Sequence, residues 1–479
     1  MRDMASRCLD QASASGASYA DVRIIRERTE EIVVKNGRVE GVLVHESEGF
    51  GVRAIAGGAW GFASSRRLEP AEADRIAALA VRIARASALA KHADVNLGPK
   101  IVSSGSYSTP VRIDPFTVPL EEKIRLLLSA DAAMRQVGEI AVAESSFECI
   151  RTNKLFASTE GSLVEQELVE TGGGIEATAV RNGEVQKRSY PNSFGRHQGT
   201  AGYEFLLDMQ LVENAPLIAE QAAQLLSAPQ CPSDLTTTVI LDPTQLALQV
   251  HESCGHPIEL DRVMGTEASY AGTSFLTLEK LGNFRYGSDI VNIFADATVP
   301  QGLGSFGYDD EGVPAQRVPI IQNGIFVNYL TSRETAAELG QMSNGTMRAD
   351  GWNRIPLIRM TNINLEPGPW KFEDLIADTD DGIFMQTNKS WSIDDKRLNF
   401  QFGTEIAWEV KSGKLGQMYK NATYTGITPQ FWGSCDAICD EWKVWGTPNC
   451  GKGEPGQTAH VGHGAAAGRF RNVRVGVMR

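Results

Sequence analysis

Two histidines and a glutamate stand close together in this sequence, at His251, Glu252 and His256. Imidazole nitrogens are ligands that zinc prefers in proteins, and a glutamate beside them is suited to act as the general base of a hydrolase. The familiar zinc-hydrolase pattern spaces its histidines four residues apart, so that both rings project from one face of a helix. Here the spacing is five. The segment therefore predicts a metal site on a deformed helix.

A regular helix would not bring the two imidazoles to one metal ion. Five residues turn about 500°, which leaves the rings about 140° apart. A one-residue π-bulge removes this offset, and such bulges are frequent at functional sites. Gly255 tolerates unusual dihedral angles, and Pro257 cannot donate a hydrogen bond to the Ser253 carbonyl, so we expect α-helical geometry to be lost near Ser253–Gly255. The alternative is two unrelated histidines at a helix end, one capping it and one buried.

A catalytic zinc site takes three protein ligands and leaves a fourth position for water. The candidates for the third ligand are Glu259, Cys435, Cys439, Cys450, His460 and His463. Cys450 lies in the Gly-rich segment 446–453, which is expected to be a flexible loop able to present a thiolate; a buried, inert thiol is the alternative. Cys435 and Cys439 stand at helical spacing and are interpreted as core or helix-face residues, because no second cysteine pair completes a four-ligand site. His460 and His463 flank Gly-rich turn residues and are expected to be exposed.

The segment around Cys450 also imitates a phosphate-binding loop. Gly446, Gly451 and Lys452 have the spacing of a P-loop. The next residue, Gly453, stands where a P-loop has the Ser or Thr that holds magnesium, and the following Glu-Pro-Gly cannot open a helix. These departures exclude nucleotide binding at this segment.

The elements that must position the motif begin with a strand predicted at Thr236–Leu241. Asp242 is a favourable N-cap residue, and Pro243 suits the first position of a helix. The motif helix is therefore expected to begin near Thr244 and to carry His251 on its third turn.

A polar segment with two prolines, Ser227–Ser233, precedes this region and follows a helix predicted over Phe205–Leu226. It is the best candidate for a domain boundary. We expect an α+β fold of two domains. Residues 1–230 would form an N-terminal domain of β meanders and helices. Residues 231–479 would form a strand-rich domain that carries the metal motif.

The N-terminal sequence predicts a helix followed by a β meander. Short β-rich runs occur at Val22–Ile25, Ile32–Lys35, Val39–Val44 and Gly51–Ile55. Asn36-Gly37 predicts a type I′ hairpin turn, and Gly57-Gly58 predicts another turn. Two amphipathic helical stretches follow, at about Pro70–Ala90 and Leu120–Val137. Short strands return over Ile140–Ser189, with a turn at Asn182-Gly183, which indicates an internal duplication.

The composition is globular and acidic, with a net charge of −13. Binding to a nucleic-acid backbone needs clustered Lys and Arg, so no nucleic-acid partner is expected. The N-terminus carries charges where a signal peptide has an apolar run, and no stretch approaches the ~20 apolar residues of a membrane span. Seven scattered cysteines fit a reducing compartment. We therefore expect a cytoplasmic protein without a membrane segment.

Several stretches resemble one known family. The stronger ones are His251-Glu252-x-x-x-His256, Arg359-Met-Thr-Asn362 with the following Pro367-Gly368, and Cys450-Gly451-Lys452; weaker agreement covers Glu48–Arg53 and Tyr308–Pro314. On these residues the chain resembles the TldD branch of the TldD/PmbA family of metallopeptidases. The stretches span nearly the whole chain in the family's order, and the metal motif distinguishes this branch from the PmbA-like (TldE) branch.

The resemblance implies a zinc ion held by His251, His256 and Cys450, with Glu252 as the catalytic base. It also implies an α+β fold of two domains, with substrate-cleft or dimer contacts in residues 1–230 and a metallopeptidase domain in residues 231–479. A dimer is implied as well, formed by two copies of the chain or with a PmbA/TldE-like subunit, whose interior cleft receives unfolded peptides. The expected function is zinc-dependent hydrolysis of unfolded peptides or short protein segments.

Two further residues and two other functions stay open. Arg359 and Asn362 are candidates for contacts to the substrate or to the polarised carbonyl oxygen, with a structural salt bridge and a turn as the alternative. A non-catalytic protein that modulates a partner is one alternative function, although it would have no need of the base Glu252. A zinc hydrolase of non-peptide substrates is the other, because its local motif would look the same.

Overall fold

The computed structural model describes residues 1–269 and 272–478. The N-terminal helices are α1 Arg2–Ala14, α2 Pro70–Ser87, α3 Leu120–Met134, α4 Glu204–Asp208 and α5 Leu211–Ser227. The N-terminal strands are β1 Tyr19–Lys35, β2 Arg38–Ala56, β3 Ala59–Ser65, β4 Ser104–Ser108, β5 Ile140–Ser158, β6 Leu163–Arg181, β7 Glu184–Tyr190 and β8 His197–Gly199.

The C-terminal region is richer in strands. Its helices are α6 Pro243–Val250, α7 Leu260–Val263, α8 Arg333–Glu338, α9 Phe372–Ala377 and α10 Thr428–Gly433. Its strands are β9 Leu235–Leu241, β10 Ile293–Asp296, β11 Arg317–Gln322, β12 Ile325–Phe326, β13 Met347–Arg348, β14 Leu357–Ile358, β15 Ile363–Leu365, β16 Asp381–Ile393, β17 Asn399–Lys411, β18 Lys414–Tyr419, β19 Ala422–Ile427, β20 Cys435–Ile438, β21 Lys443–Lys452, β22 Gln457–Ala465 and β23 Gly468–Val477. The predicted α+β class is confirmed.

The strands of the N-terminal meander are longer than the sequence predicts. Val22–Ile25 and Ile32–Lys35 belong to one strand, β1, which pairs with β2 on one side and with β5 on the other. Pairing at both edges satisfies the backbone across the charged stretch between the two apolar runs, where the residue pattern alone suggests a break. The predicted hairpin turn is present, with Asn36 and Gly37 at φ of 48° and 77°.

The N-terminal region contains one arrangement twice. β1, β2 and β3 form a meander of two long strands and one short strand, and β5, β6 and β7 form a second. The two meanders meet at the antiparallel pair β1–β5, where Arg28 lies opposite Arg151, and each has a helix before it and a helix after it. The order of elements is thus repeated, and the duplication itself stays a prediction.

The prediction of a single helix over Phe205–Leu226 is wrong. The structure has two helices, α4 and α5, separated at Gln210, whose φ of 51° is left-handed. The Tyr190 hydroxyl donates to the Met209 carbonyl at 2.8 Å, and a continuous helix would have paired that carbonyl with a later N–H. The apolar spacing of the sequence does not reveal a contact made by a residue outside the helix.

Five C-terminal strands form a closed sheet. β16, β9, β23, β19 and β17 pair in that order, and β17 pairs back with β16. The β9–β16 pair is parallel and the others are antiparallel. Val239, Phe402 and Phe470 contribute to the apolar core of this region. Helix α6 follows β9 directly, so the closed sheet sets where the motif residues lie.

A short connection joins the N-terminal region to the C-terminal region. The chain leaves α5 at Ser227 and enters β9 at Leu235. The domain boundary at residue 230 stays a prediction. Within residues 1–269 and 272–478, no helix is both long enough and apolar enough to cross a membrane.

Candidate metal centre

The motif helix α6 begins as the sequence predicts. Asp242 is its N-cap, and a side-chain oxygen of Asp242 accepts a hydrogen bond from the Gln245 amide at 2.9 Å. Pro243 occupies the first helical turn, where its missing N–H costs no hydrogen bond. Gln245 also donates to the Tyr424 hydroxyl, which donates to Gln249, each at 2.9 Å. Helix α6 is thereby fixed to strand β19.

The predicted departure from α geometry is confirmed. Residues His251–Gly255 form a π-helical turn, and the His256 amide donates to the His251 carbonyl five residues earlier at 3.2 Å. The Ser253 carbonyl, which Pro257 cannot serve, accepts a hydrogen bond from the Tyr286 hydroxyl at 2.9 Å. This contact satisfies a buried backbone group that the bulge would otherwise leave unpaired.

A close approach makes glycine necessary at position 255. A Cβ atom at Gly255 would lie 2.2 Å from the Met360 sulfur. The bulge therefore depends on glycine for space as well as for backbone freedom.

Three potential metal ligands converge at the end of this helix. One ligand atom from each of His251, His256 and Cys450 lies within 4.8 Å of the other two, and all three residues are buried. The Cys450 sulfur is 3.7 Å from Nε2 of His256, and the two imidazoles are nearly perpendicular, with an angle of 88°. Two imidazole nitrogens and one thiolate from two separate segments form a donor set that fits zinc.

Each histidine of the cluster is oriented through its other ring nitrogen. Nδ1 of His256 lies 3.1 Å from a carboxylate oxygen of Glu259, and Nδ1 of His251 lies 2.8 Å from Nε2 of His463. Both contacts leave Nε2 as the nitrogen that faces a metal. Glu259, a candidate ligand in the sequence, is thus a partner of a ligand, and so is His463. Such partners fix the tautomer and the orientation of the ring.

The expectation that His460 and His463 are exposed is wrong. His463 is fully buried against His251, and His460 is partly buried with its Nδ1 at 2.5 Å from Glu170. Both lie on β22 instead of a Gly-rich turn. The glycines beside them allow close packing; a Cβ at Gly462, for instance, would lie 2.1 Å from the Asn362 side chain.

The expected flexible loop around Cys450 is also wrong. Cys450 lies on β21, which pairs with β22 in a hairpin. The Arg359 guanidinium is buried and donates to the carbonyls of Cys450 and Gln457, one on each strand. The thiol is therefore held by a braced hairpin, which gives it a defined position in the cluster.

The electrostatic surroundings favour the protonation states that a metal needs. Burial lowers the pKa of both His251 and His256, so the imidazoles are neutral near pH 7. Burial alone would raise the pKa of the Cys450 thiol, but the His256 imidazole and the Arg359 guanidinium outweigh it and lower the pKa from its ordinary value. Neutral imidazoles and a thiolate are the forms that bind zinc.

The cluster opens into a cavity of about 550 Å³. Glu252 lines it together with the three potential ligands. Nη1 of Arg397 donates to Oε2 of Glu252 at 2.5 Å, so a guanidinium holds one oxygen of this carboxylate. Arg397 lies in the turn between β16 and β17, and its position in the sequence gives no signal of this contact.

Family profiles match three consecutive parts of the chain. They are described as PmbA/TldA metallopeptidase domain 1 at residues 20–84, the central domain at 113–228 and the C-terminal domain at 235–476. A metalloprotease of Methanocaldococcus jannaschii is 31% identical over 455 residues, which cover 94% of this chain and 95% of that protein. The chain belongs to the PmbA/TldD metallopeptidase family.

Other relatives of this family member carry TldD names. A metalloprotease TldD homolog of Haemophilus influenzae is 27% identical, covering 98% of this chain and 94% of that protein. A zinc metalloprotease TldD homolog of Saccharolobus solfataricus is 23% identical, covering 98% of each.

Solved structures share the fold of this PmbA/TldD family member. TldE from Thermococcus kodakarensis superposes with a TM-score of 0.76 at 17% identity, covering 98% of this chain and 99% of that one. A Thermotoga maritima protein described as a proposed modulator of DNA gyrase gives a TM-score of 0.79 at 19% identity, covering 99% of each.

Within the family motifs, Arg359 and Asn362 lie inside the protein and outside the cavity lining. Asn362 is fully buried; it donates to the Asp296 carbonyl at 2.7 Å and accepts from the Gly304 amide at 2.9 Å. Arg359 braces the hairpin that carries Cys450. The predicted substrate contacts of both residues stay predictions, and these bonds favour the structural alternative.

The other motif residues of this family member have structural contacts. Cys435 and Cys439 are buried core residues, as interpreted. Their spacing of four residues does not reflect a helix, because Cys435 begins a strand. The Lys452 amine is buried and donates to both carboxylate oxygens of Asp261, at 2.7 and 2.9 Å. This amine is committed to an internal ion pair, in agreement with the exclusion of a P-loop.

Proposed function

We propose that this chain is a zinc-dependent peptidase that hydrolyses unfolded peptides or short protein segments, with zinc held by His251, His256 and Cys450. The observation that carries the proposal is the Glu252 carboxylate, which lines the same cavity as three converging ligand atoms. Metalloprotease names among the relatives support the reaction class. The zinc metalloprotease name of the Saccharolobus solfataricus relative supports the choice of metal.

The role proposed for Glu252 is that of general base. Zinc bound at the site would supply a Lewis acid that polarises the peptide carbonyl and makes water acidic enough to attack it. Among the described residues only Arg397 bonds the Glu252 carboxylate, through Oε2, so Oε1 is free to take the proton of the attacking water. Glu252 then delivers this proton to the leaving amine.

The two alternative functions differ from this proposal in what they require of the cavity. A non-catalytic modulator has no need of a carboxylate beside the metal ligands, and the gyrase-modulator description belongs to a structural neighbour that is only 19% identical. A hydrolase of non-peptide substrates would use the same four residues. The substrate must therefore be decided by assay.

The experiment measures hydrolysis of unfolded peptides, carboxylic esters and phosphoesters by the purified protein, with and without a zinc chelator. The proposal expects peptide cleavage that the chelator abolishes. Chelator-sensitive cleavage of esters or phosphoesters without cleavage of any peptide would favour the non-peptide hydrolase. No hydrolysis of any substrate by the zinc-loaded protein, either alone or together with a TldE-like protein, would favour the modulator.

We further propose a second subunit of the same fold, either another copy of this chain or a TldE-like protein, and a cytoplasmic location. The fold shared with TldE supports the partner. The N-terminal half of β2 is exposed, includes the apolar residues Val42, Leu43 and Val44, and among the described strands pairs with β1 alone. Light scattering of the purified protein tests the proposal of a second subunit. A monomeric mass, both for the chain alone and for the chain mixed with a TldE-like protein, would contradict it.

One prediction concerns the partner of a proposed zinc ligand. Replacing His463 by Ala is expected to weaken zinc binding about 10–100-fold, because Nδ1 of His251 loses the group that orients its ring. Competition with a chromogenic chelator measures the affinity. The matched control is His460→Ala, on the same strand but bonded to Glu170. Equal zinc affinities of the two variants would contradict the orienting role.

A further inference from the structure

Two bulky side chains in the cavity wall project from unusual backbone. Phe194 and Arg397 have φ of 60° and 64°, and both line the metal cavity. The left-handed region is unfavourable for bulky residues other than glycine, and such residues cluster at ligand sites. Glycine or asparagine would suit both turns better, which makes these two side chains candidates for contacts with a ligand.

The turn of Arg397 is held in place by several hydrogen bonds. The Arg397 amide donates to the Asp394 carbonyl at 2.8 Å, and the Thr428 hydroxyl donates to the Arg397 carbonyl at 2.9 Å. The turn of Phe194 is held by Asn192, whose side chain accepts from the Ser193 amide at 2.8 Å. Both side chains are therefore aimed at the cavity by fixed backbone.

An aromatic pair joins the turn of Phe194 to strand β16, which leads into the turn of Arg397. The rings of Phe194 and Trp391 meet edge to face, with centroids 6.3 Å apart. Both side chains line the cavity, yet each keeps 44% of its surface exposed. Large aromatic side chains that stay exposed inside a concave site offer a surface for an apolar group of a ligand.

The charge of this wall is opposite to that of the protein. The chain carries a net charge of −13, but the charged side chains along the cavity, apart from the potential ligands, are Arg196, Arg397 and Glu252. Glu252 is paired with Arg397. Arg196 is exposed and has no ion pair with any residue in the described ranges. One guanidinium thus faces the cavity with its charge uncompensated.

We propose that Phe194, Arg196, Trp391 and Arg397 form a carboxylate subsite, which binds a carboxylate-bearing residue of the substrate next to the metal. Arg196 pairs with the carboxylate, the aromatic rings hold the neighbouring apolar side chain, and Arg397 separates the bound carboxylate from Glu252. This inference rests on the proposed peptidase function. The carboxylate comes either from the C-terminus of the peptide or from an Asp or Glu side chain, since these are the anionic groups of an unmodified peptide.

The test compares peptides that differ only in charge. In the first pair, one peptide has a free C-terminus and the other an amidated C-terminus. In the second kind of pair both C-termini are amidated, and one peptide has Asp where the other has Asn; this pair is made for each internal position in turn. Cleavage gives kcat/KM for the full-length zinc-loaded protein. Fluorescence anisotropy gives binding to the same protein held inactive with a chelator. In one of the pairs we expect the charged peptide to be preferred by at least about tenfold in both measurements. One charge-assisted hydrogen bond contributes about this much to binding.

Two variants assign the preference. Arg196→Met is expected to reduce the charged-to-neutral ratio to within about threefold, mainly through KM, because only the ion pair is lost. The matched control Arg66→Met removes an exposed arginine outside the cavity and should keep the ratio. The pair that loses its ratio identifies the source of the carboxylate.

The outcomes separate this inference from the peptidase proposal. Equal binding of charged and neutral peptides by the wild-type protein overturns the subsite, whether or not the peptides are cleaved. A preference that survives in Arg196→Met overturns it as well. Cleavage of no peptide, with a binding preference that Arg196→Met abolishes, leaves the subsite supported and contradicts the peptidase function instead.

Discussion

Replacing Glu252 by Gln is expected to lower kcat about 10²–10⁴-fold, the contribution that a general base makes to a proton-transfer step. Glutamine keeps the size of the side chain and an oxygen that accepts from Arg397, but it cannot take a proton from water. None of the three potential zinc ligands hydrogen-bonds to this side chain among the described contacts. Zinc content should therefore match that of the wild type, and the protein should stay folded.

The control for this experiment is the same chemical change at an exposed site. Glu441 lies on the surface, away from the cavity lining, and Glu441→Gln should keep the wild-type kcat. Metal analysis and denaturant unfolding of both variants show whether a loss of activity has another cause. Wild-type turnover by Glu252→Gln would refute the role of this residue as the base.

Replacing Cys450 by Ala is expected to remove zinc from most of the purified protein. The two histidines come from one helical segment and leave the third corner of the site to a separate strand. Loss of a thiolate takes away the ligand with negative charge, and two imidazoles alone bind zinc far more weakly. Metal analysis after dialysis should find about one zinc per chain in the wild type and little in this variant.

The matched control is the double variant Cys435→Ala, Cys439→Ala. It makes the same change at two buried thiols that are not part of the ligand cluster, so zinc content should stay near that of the wild type. If the double variant loses zinc while Cys450→Ala retains it, the third ligand has been assigned to the wrong segment.

The distorted helix is the part of the site that local sequence predicts best. The five-residue spacing of the histidines demands a bulge, and Gly255 and Pro257 are the residues that permit it. Asp242-Pro243 likewise marks the start of the helix through interactions among neighbours in sequence. These features depend on backbone geometry over a few residues, which residue types report directly.

The surroundings of the ligands depend on contacts that are distant in sequence. The partner of His251 is 212 residues away, at His463, and the partner of Glu252 is 145 residues away, at Arg397. Neither position has a spacing or a neighbour that reveals its role. The residues alone also leave the third ligand open among six candidates, and only the family resemblance selects Cys450.

The fold shows the same division between local and distant causes. Turns at Asn36-Gly37 and Asn182-Gly183 are predicted by residues that accept positive φ. The full length of β1 is not predicted by its own residues, because the strands paired to both of its edges stabilise its charged middle. The break at Gln210 is not predicted for a related reason. Tyr190 of β7 donates a hydrogen bond to the carbonyl of Met209, the residue just before the break.

The most direct test of the account is a zinc titration of chelator-stripped protein, with peptide cleavage as the readout. Cleavage should be absent in the stripped protein, rise in proportion to added zinc, and stop rising at about one zinc per chain, because three protein ligands make one catalytic site. Cleavage that survives stripping, or that needs two zinc ions per chain, would contradict a single site built from His251, His256 and Cys450.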